Sequence, residues 1–218
     1  MIVESCAGTD HSATINIDVD ISKKISLMFS GGLDSSTLLY LMCLDIIQKG
    51  HEPKDVIKYL FTVPKADGAE IFPPKVLDFL QEKLGKELPP MTIARIPKLH
   101  GTYHGMMVWN TMLYILEKYD IDQIYLGDQR PIDGLDDDNK PTRSQDIEGP
   151  RPGIMIFPFN HLYKYHTIDV MFNEGLGQLM HLSHSCTEKI IGRCNLCYHC
   201  KERAEGFRVA GYVDESNK

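Results

Sequence analysis

The sequence has no long apolar run, no basic excess and neither of the commonest nucleotide-binding signatures, and each absence removes a class of function. No apolar stretch in the 218 residues approaches the ~18 that a membrane-spanning helix needs. Glu4, Asp10, Asp18 and Asp20 interrupt the first twenty residues, so a secretory leader's basic start and apolar core are missing and a cytoplasmic location is expected. Lys and Arg total 23 against 30 Asp and Glu, a formal net charge of −7, which gives no electrostatic footprint for a polyanion. Nucleic acid is therefore not expected as a direct partner. Gly-x-x-x-x-Gly-Lys-Ser/Thr and Gly-x-Gly-x-x-Gly are both absent, so kinase-type γ-phosphate chemistry and dinucleotide binding lose their usual support. What remains is ordinary: 43% hydrophobic and 24% charged residues mark a folded globular chain with one sizeable core.

The order of apolar patterns predicts an α/β fold with an open, mostly parallel sheet flanked by helices. Thr14 to Asp20 alternates as a half-buried strand and suggests an N-terminal edge or hairpin extension over residues 1–24. Ile25–Phe29 reads as a strand, Ser35–Lys49 as a helix stopped by Gly50, Val56–Val63 as a strand and Pro73–Leu84 as a helix. Met91–Ile96, His104–Tyr119 and Gln123–Gly127 continue the alternation as strand, helix and strand, the pattern of βαβ units. From Gly127 to Pro158, prolines, glycines and the acidic residues Asp133, Asp136, Asp137 and Asp138 predict one long loop beyond a strand's carboxyl end, where open α/β sheets bind ligands. Those aspartates lack calcium-loop spacing and read as a solvated lid. Short helices are expected over His166–Gly175 and Lys201–Val209. The division is thus an α/β domain over residues 1–160 and a helical, metal-binding region over 161–218.

Ser30-Gly31-Gly32-Leu33-Asp34-Ser35-Ser36 falls between a strand and a helix, where unpaired N–H groups and the helix dipole attract anions. Gly31 and Gly32 would take backbone angles closed to other residues, and Ser30, Ser35 and Ser36 would add hydroxyl donors. Asp34 would repel a bare phosphate; it suits a magnesium-bridged one, or a helix cap. As a bare tetrapeptide the motif would be only a tight turn.

Cys186, Cys194, Cys197 and Cys200 fall within fifteen positions, the complement of a tetrahedral zinc site, with an iron–sulfur cluster as the competing use of four thiolates. His184 and His199 read as neighbours of that site. His100, His104, His161 and His166 read as surface or capping residues, and Trp109 as core or as a stacking platform for a base.

The Ser30–Ser35 segment resembles the Ser-Gly-Gly-x-Asp-Ser loop of the PP-loop ATP pyrophosphatases, which cleave ATP to AMP and pyrophosphate and activate a substrate oxygen as its adenylate. Together with Ser185-Cys186 and Gly192-Arg193-Cys194-Asn195-Leu196-Cys197-Tyr198-His199-Cys200-Lys201-Glu202-Arg203, then Gly206-Phe207 and Gly211, it is similar to the 7-cyano-7-deazaguanine synthases. The resemblance implies an adenine nucleotide alpha hydrolase-like, Rossmann-like fold, structural zinc, magnesium, ATP as co-substrate and often a homodimer. It implies conversion of 7-carboxy-7-deazaguanine and ammonia to the nitrile through adenylated intermediates. Ser30, Gly31, Gly32, Leu33, Asp34, Ser35 and Ser36 would hold the phosphates, with Asp34 positioning magnesium and phosphate, and Asn110, Gly127, Asp128 and Asp133 are substrate candidates. The middle departs from the pattern: Phe61-Thr62-Val63-Pro64 stands where the family carries Tyr-Gly-Gln, and Trp109-Asn110 where it carries Arg-Asn. A related carboxylate as substrate, a sulfur-inserting tRNA modifier and a non-catalytic nucleotide-binding zinc protein are the alternatives.

Overall fold

The computed structural model describes residues 1–6, 12–63, 70–94, 104–132 and 153–217, with the side chains of 104–108 and 217 excepted. The chain opens with an antiparallel hairpin, β1 (Ile2–Cys6) against β2 (Ser12–Asn16), apart from the main sheet. The alternation seen in the sequence carries on past β2, burying Ile15, Ile17 and Val19 while Asn16, Asp18 and Asp20 face out.

Five parallel strands form the main sheet: β3 (Ile25–Met28), β4 (Ile57–Thr62), β5 (Met91–Ile93), β6 (Gln123–Tyr125) and β7 (Met155–Ile156), in the spatial order β5-β4-β3-β6-β7. Central β3 is buried without alternation, Ser26 included, because helices cover both of its faces. On one face lies α1 (Leu33–Gln48), buried nearly all round among β3, α3 (Phe72–Leu84), α5 (Lys164–Asn173) and the short α6 (Leu179–Leu182). On the other face, Met112 and Ile115 of α4 (His104–Lys118) pack with Phe61, Ile124 and Met155. From β3 the chain builds outward through β4 and β5, then crosses to β6 and β7. The direction of growth reverses between β3 and β6, and the crevice beyond their carboxyl ends is where such sheets take ligands.

Several expectations are corrected. The stretch between Gly127 and Pro158 is not all loop: β7 pairs with β6 through Ile124↔Met155 and Tyr125↔Ile156. A two-residue edge strand has no periodicity of its own and exists only through its ladder. A helical turn, α2 (Pro53–Val56), precedes β4 because Pro53 has a fixed φ suited to a first helical position. The last helix, α7, begins at Tyr198 rather than Lys201 and runs to Ala210. The apolar cluster holding Leu27 and Leu38 also holds Ile168, Leu179 and Phe207, so one core runs through both expected regions. Among the described residues, no helix is long and apolar enough to cross a membrane.

Candidate functional site

Phe29 leaves β3 by donating its N–H to Phe61 O at 2.7 Å, and the chain turns through Ser30, Gly31 and Gly32 into α1. Gly31 has φ +69, and a Cβ there would lie 2.7 Å from the backbone nitrogen of Pro73 in the first turn of α3. Both the angle and the space require glycine. Gly32 is different: it is the helix N-cap with extended backbone (φ −78, ψ 167), so the expectation of special angles holds for Gly31 alone.

Asp34 is not a cap, since it lies inside the first turn and no side chain caps α1. Ser36 N–H to Gly32 O, at 3.1 Å, is the first bond of the helix, which leaves the N–H groups of Leu33, Asp34 and Ser35 outside its ladder. The two serines of this loop that line the cleft are linked, Ser30 Oγ to Ser35 Oγ at 3.1 Å, and Gly32 N–H donates to Ser30 Oγ at 3.3 Å. Ser36 turns back instead, its hydroxyl donating to Gly32 O at 2.6 Å. Neither Ser36 nor Gly31 lines the cleft.

That cleft has a volume of about 220 Å³ and opens at the carboxyl ends of β3, β4 and β6, where the sheet's growth reverses. Gly127, just past β6, lies against the first turn of α1: a Cβ on it would stand 3.0 Å from Ser35 N and 3.1 Å from Asp34 C. Its missing side chain brings the β6 end, with Asp128, onto the Ser30–Ser36 loop. The facing wall comes from the C-terminal region, through His184, Ser185, Thr187, His199 and Glu202.

Lys164, the first residue of α5, reaches into the cleft and forms an ion pair with Asp34 Oδ2. Its side chain is only 6% exposed, and it passes α7 at Gly206, where a Cβ would come within 2.6 Å of Lys164 Cγ and 2.9 Å of Ile168 Cδ1. Asp34 Oδ1 is buried with no hydrogen-bond partner. An orphaned carboxylate oxygen of this kind is a donor that a hard cation could take as a ligand, and the N–H groups opening α1 lie beside it. Sequence reasoning missed Lys164, which no local pattern marks; a glycine inside the helical run of α7 was the available hint of a close approach.

The Sγ atoms of Cys186, Cys194, Cys197 and Cys200 lie within 4.8 Å of one another, and none of these cysteines is in a disulfide. Zn–S bonds of about 2.3 Å put tetrahedral sulfurs roughly 3.8 Å apart, so the set fits a metal ion such as zinc. Asn195 adopts φ 59, which lets Leu196 N–H and Cys197 N–H both donate to Cys194 Sγ, at 3.4 and 3.2 Å. Burial opposes ionisation of Cys194, but those N–H groups together with the neighbouring Cys197 and Cys186 thiols outweigh it and bring the thiol down to about 6. Burial pushes Cys200 the other way, up to about 12. His184 and His199 lie beside this set rather than in it. The His184 ring stacks on Phe72 with centroids 4.5 Å apart, and its Nε2 is 2.7 Å from Lys189 O. His199 Nδ1 is 3.9 Å from Oε2 of Glu202, whose other oxygen accepts the Tyr198 hydroxyl at 3.2 Å.

Beneath this wall Arg203 is fully buried and ties three segments together. It donates to Asp214 Oδ2 at 2.8 Å, Ser183 Oγ at 3.0 Å and Met180 O at 2.7 Å. Arg193 meets the same Asp214 at 2.5 Å. Burial works against the Asp214 carboxylate, yet the two guanidinium groups hold it well below the usual range.

Other expected residues lie elsewhere. Asn110 is half-buried on α4 and does not line the cleft, and Trp109 packs against the apolar cluster on that face of the sheet. Asp133, Asp136, Asp137, Asp138 and His100 lie outside the described residues, as does the side chain of His104. His166 caps α5 by accepting Tyr163 N–H at 3.0 Å, and His161 Nε2 is 3.0 Å from Thr14 O. Cys43 is buried in α1, and that burial pushes its thiol far up, unlike a reactive thiolate. Compared with known proteins, the chain matches no family model and no curated protein.

Proposed function

We propose that this chain is an ATP-dependent enzyme that activates a carboxylate as its adenylate and joins it to ammonia, of the 7-cyano-7-deazaguanine synthase type. The observation that carries the reading is the meeting of two separately recognisable motifs in one cleft. The glycine–serine loop forms its floor at the point where the sheet's growth reverses, and the four-cysteine segment supplies its facing wall.

In this reading the N–H groups opening α1, with Ser30 and Ser35, receive the phosphates, and Lys164 balances their charge. Asp34 would hold magnesium, which when bound neutralises charge on the departing pyrophosphate. Zinc on the four cysteines would fix the wall carrying His199 and Glu202, against which the deazapurine or a related carboxylate would rest.

The test is mass spectrometry of a reaction containing the protein, magnesium-ATP, ammonium and 7-carboxy-7-deazaguanine, with AMP and pyrophosphate followed in parallel. A nitrile that requires every component and vanishes with Asp34→Ala is the expected result. Amide alone would place the end of the reaction one activation earlier. Absence of both products from a folded, zinc-replete sample would reject this substrate.

A further inference from the structure

Building on the nucleotide-binding reading above, we infer that Lys164 is a built-in counter-ion that keeps free divalent cations off Asp34 until a nucleotide arrives. Its ammonium is paired with Asp34 Oδ2. The charged side chains lining the cleft are otherwise Asp34, Asp128 and Glu202, so among the described residues Lys164 is its one permanent cation. Arg203 does not line the cleft: it lies behind the wall with its guanidinium bound to Asp214, Ser183 and Met180, touching the lining through Ser185 Oγ at 3.3 Å.

Two cations cannot share one carboxylate in a partly dry cleft without repelling each other. Asp34 Oδ1 offers a ligand direction for a divalent ion, but that ion would sit beside the ammonium already on Oδ2. Phosphate oxygens on the N–H groups that open α1 change the balance by giving the ammonium a second partner. The notch at Gly206 lies against Lys164 Cβ and Cγ, and the side chain continues beyond it to place Nζ in the cleft, at the Asp34 carboxylate and within the lining that would face those phosphates. Lys164 thus couples the two ligands, favouring arrival of metal and nucleotide together over metal alone. It is a positioning residue, and removing its charge should affect metal and nucleotide in opposite directions.

Binding to the full chain tests this without turnover. Lys164→Met keeps an apolar stem in the notch and removes the ammonium. Titrated with Mn²⁺ alone and read by electron paramagnetic resonance, it should bind at least about tenfold more tightly than the unaltered protein, within the usual range of coupling between sites. In EDTA, its affinity for metal-free ATP should fall by a similar factor. Loss of a merely structural side chain would weaken both. Asp34→Asn added to Lys164→Met should abolish the gained Mn²⁺ binding, and Lys164→Arg should exclude Mn²⁺ as lysine does. Lys164→Gln repeats both titrations if Lys164→Met does not fold. Mn²⁺ affinity that stays level or falls at an unchanged melting temperature, or metal-free ATP binding that is unaffected, overturns the inference. If the unaltered protein binds no ATP with or without Mn²⁺, the nucleotide reading itself fails, while the metal-only titration still accepts or rejects the guard at Asp34.

Discussion

The floor and the wall of the cleft are built by opposite means. The floor is local: Ser30 to Ser36 is one continuous turn, shaped by an αL glycine and the opening of one helix. The wall is assembled from separate pieces, with residues 183–187 and the start of α7 held together by four cysteines and a buried arginine. A locally encoded surface survives damage elsewhere, whereas an assembled one depends on every tie.

The largest effect should come from cutting the strongest tie. Cys200→Ser, or treatment of the unaltered, metal-loaded protein with a chelator, should lower the melting temperature and, on the proposed function, weaken ATP binding, because metal binding contributes directly to folding of the segment that holds it. Hydrogen exchange should show β3, β4 and α1 still protected, and protection lost there as well would break the contrast.

Asp34→Ala probes the floor from the opposite side. On the proposed activity it should cut turnover by at least roughly 10²–10³-fold, the usual cost of removing a charge-stabilising group, and it should also lower the melting temperature, because Lys164, 6% exposed, is left without its counter-ion. Gly31→Ala combines the two kinds of damage: the backbone angle alone costs about 1–3 kcal/mol, and the approach to Pro73 adds to it. Denaturant unfolding would measure that loss, and a stability unchanged within error would mean the turn can be rebuilt without its αL residue.

Gly206→Ala is a subtler cut, because it pushes on the stem of Lys164 from the wall side. Overpacking there should cost about 1–3 kcal/mol, and metal-free ATP should bind more weakly as Nζ is displaced. The smallest expected effect is acid sensitivity of the wall. Asp214 is held below its ordinary value of 3.8, so its contribution is complete above that pH and is lost as pH falls toward the folded-state value. Unfolding followed between pH 7 and pH 2 should therefore steepen below about pH 4, and Asp214→Asn should lower stability at pH 7 while flattening that slope.

The same contrast explains what could be read from the sequence. The floor was legible because strand, turn and helix follow one another within 24 residues, and each leaves its own period or punctuation. The four cysteines were legible because metal ligands cluster in sequence as well as in space. Lys164 was not, since a lysine at a helix start looks like a solvent-facing residue until tertiary packing buries it. The same holds for β7, which two residues define only through hydrogen bonds to β6. Asn110 shows the converse: a residue that matches the family pattern lies on α4 and is not among those lining the cleft.

Helix α7 places Cys200, Arg203 and Gly206 three residues apart, so the metal site, the buried arginine and the lysine notch occupy successive turns of one spiral stripe. With about 100° of rotation per residue, inserting a single residue after Cys200 would leave the ligands intact yet turn both the arginine and the notch out of phase. The interval between metal ligand and notch is therefore under tighter constraint than the identity of most residues within it, and drift in this part of the chain can proceed by substitution but not by change of length.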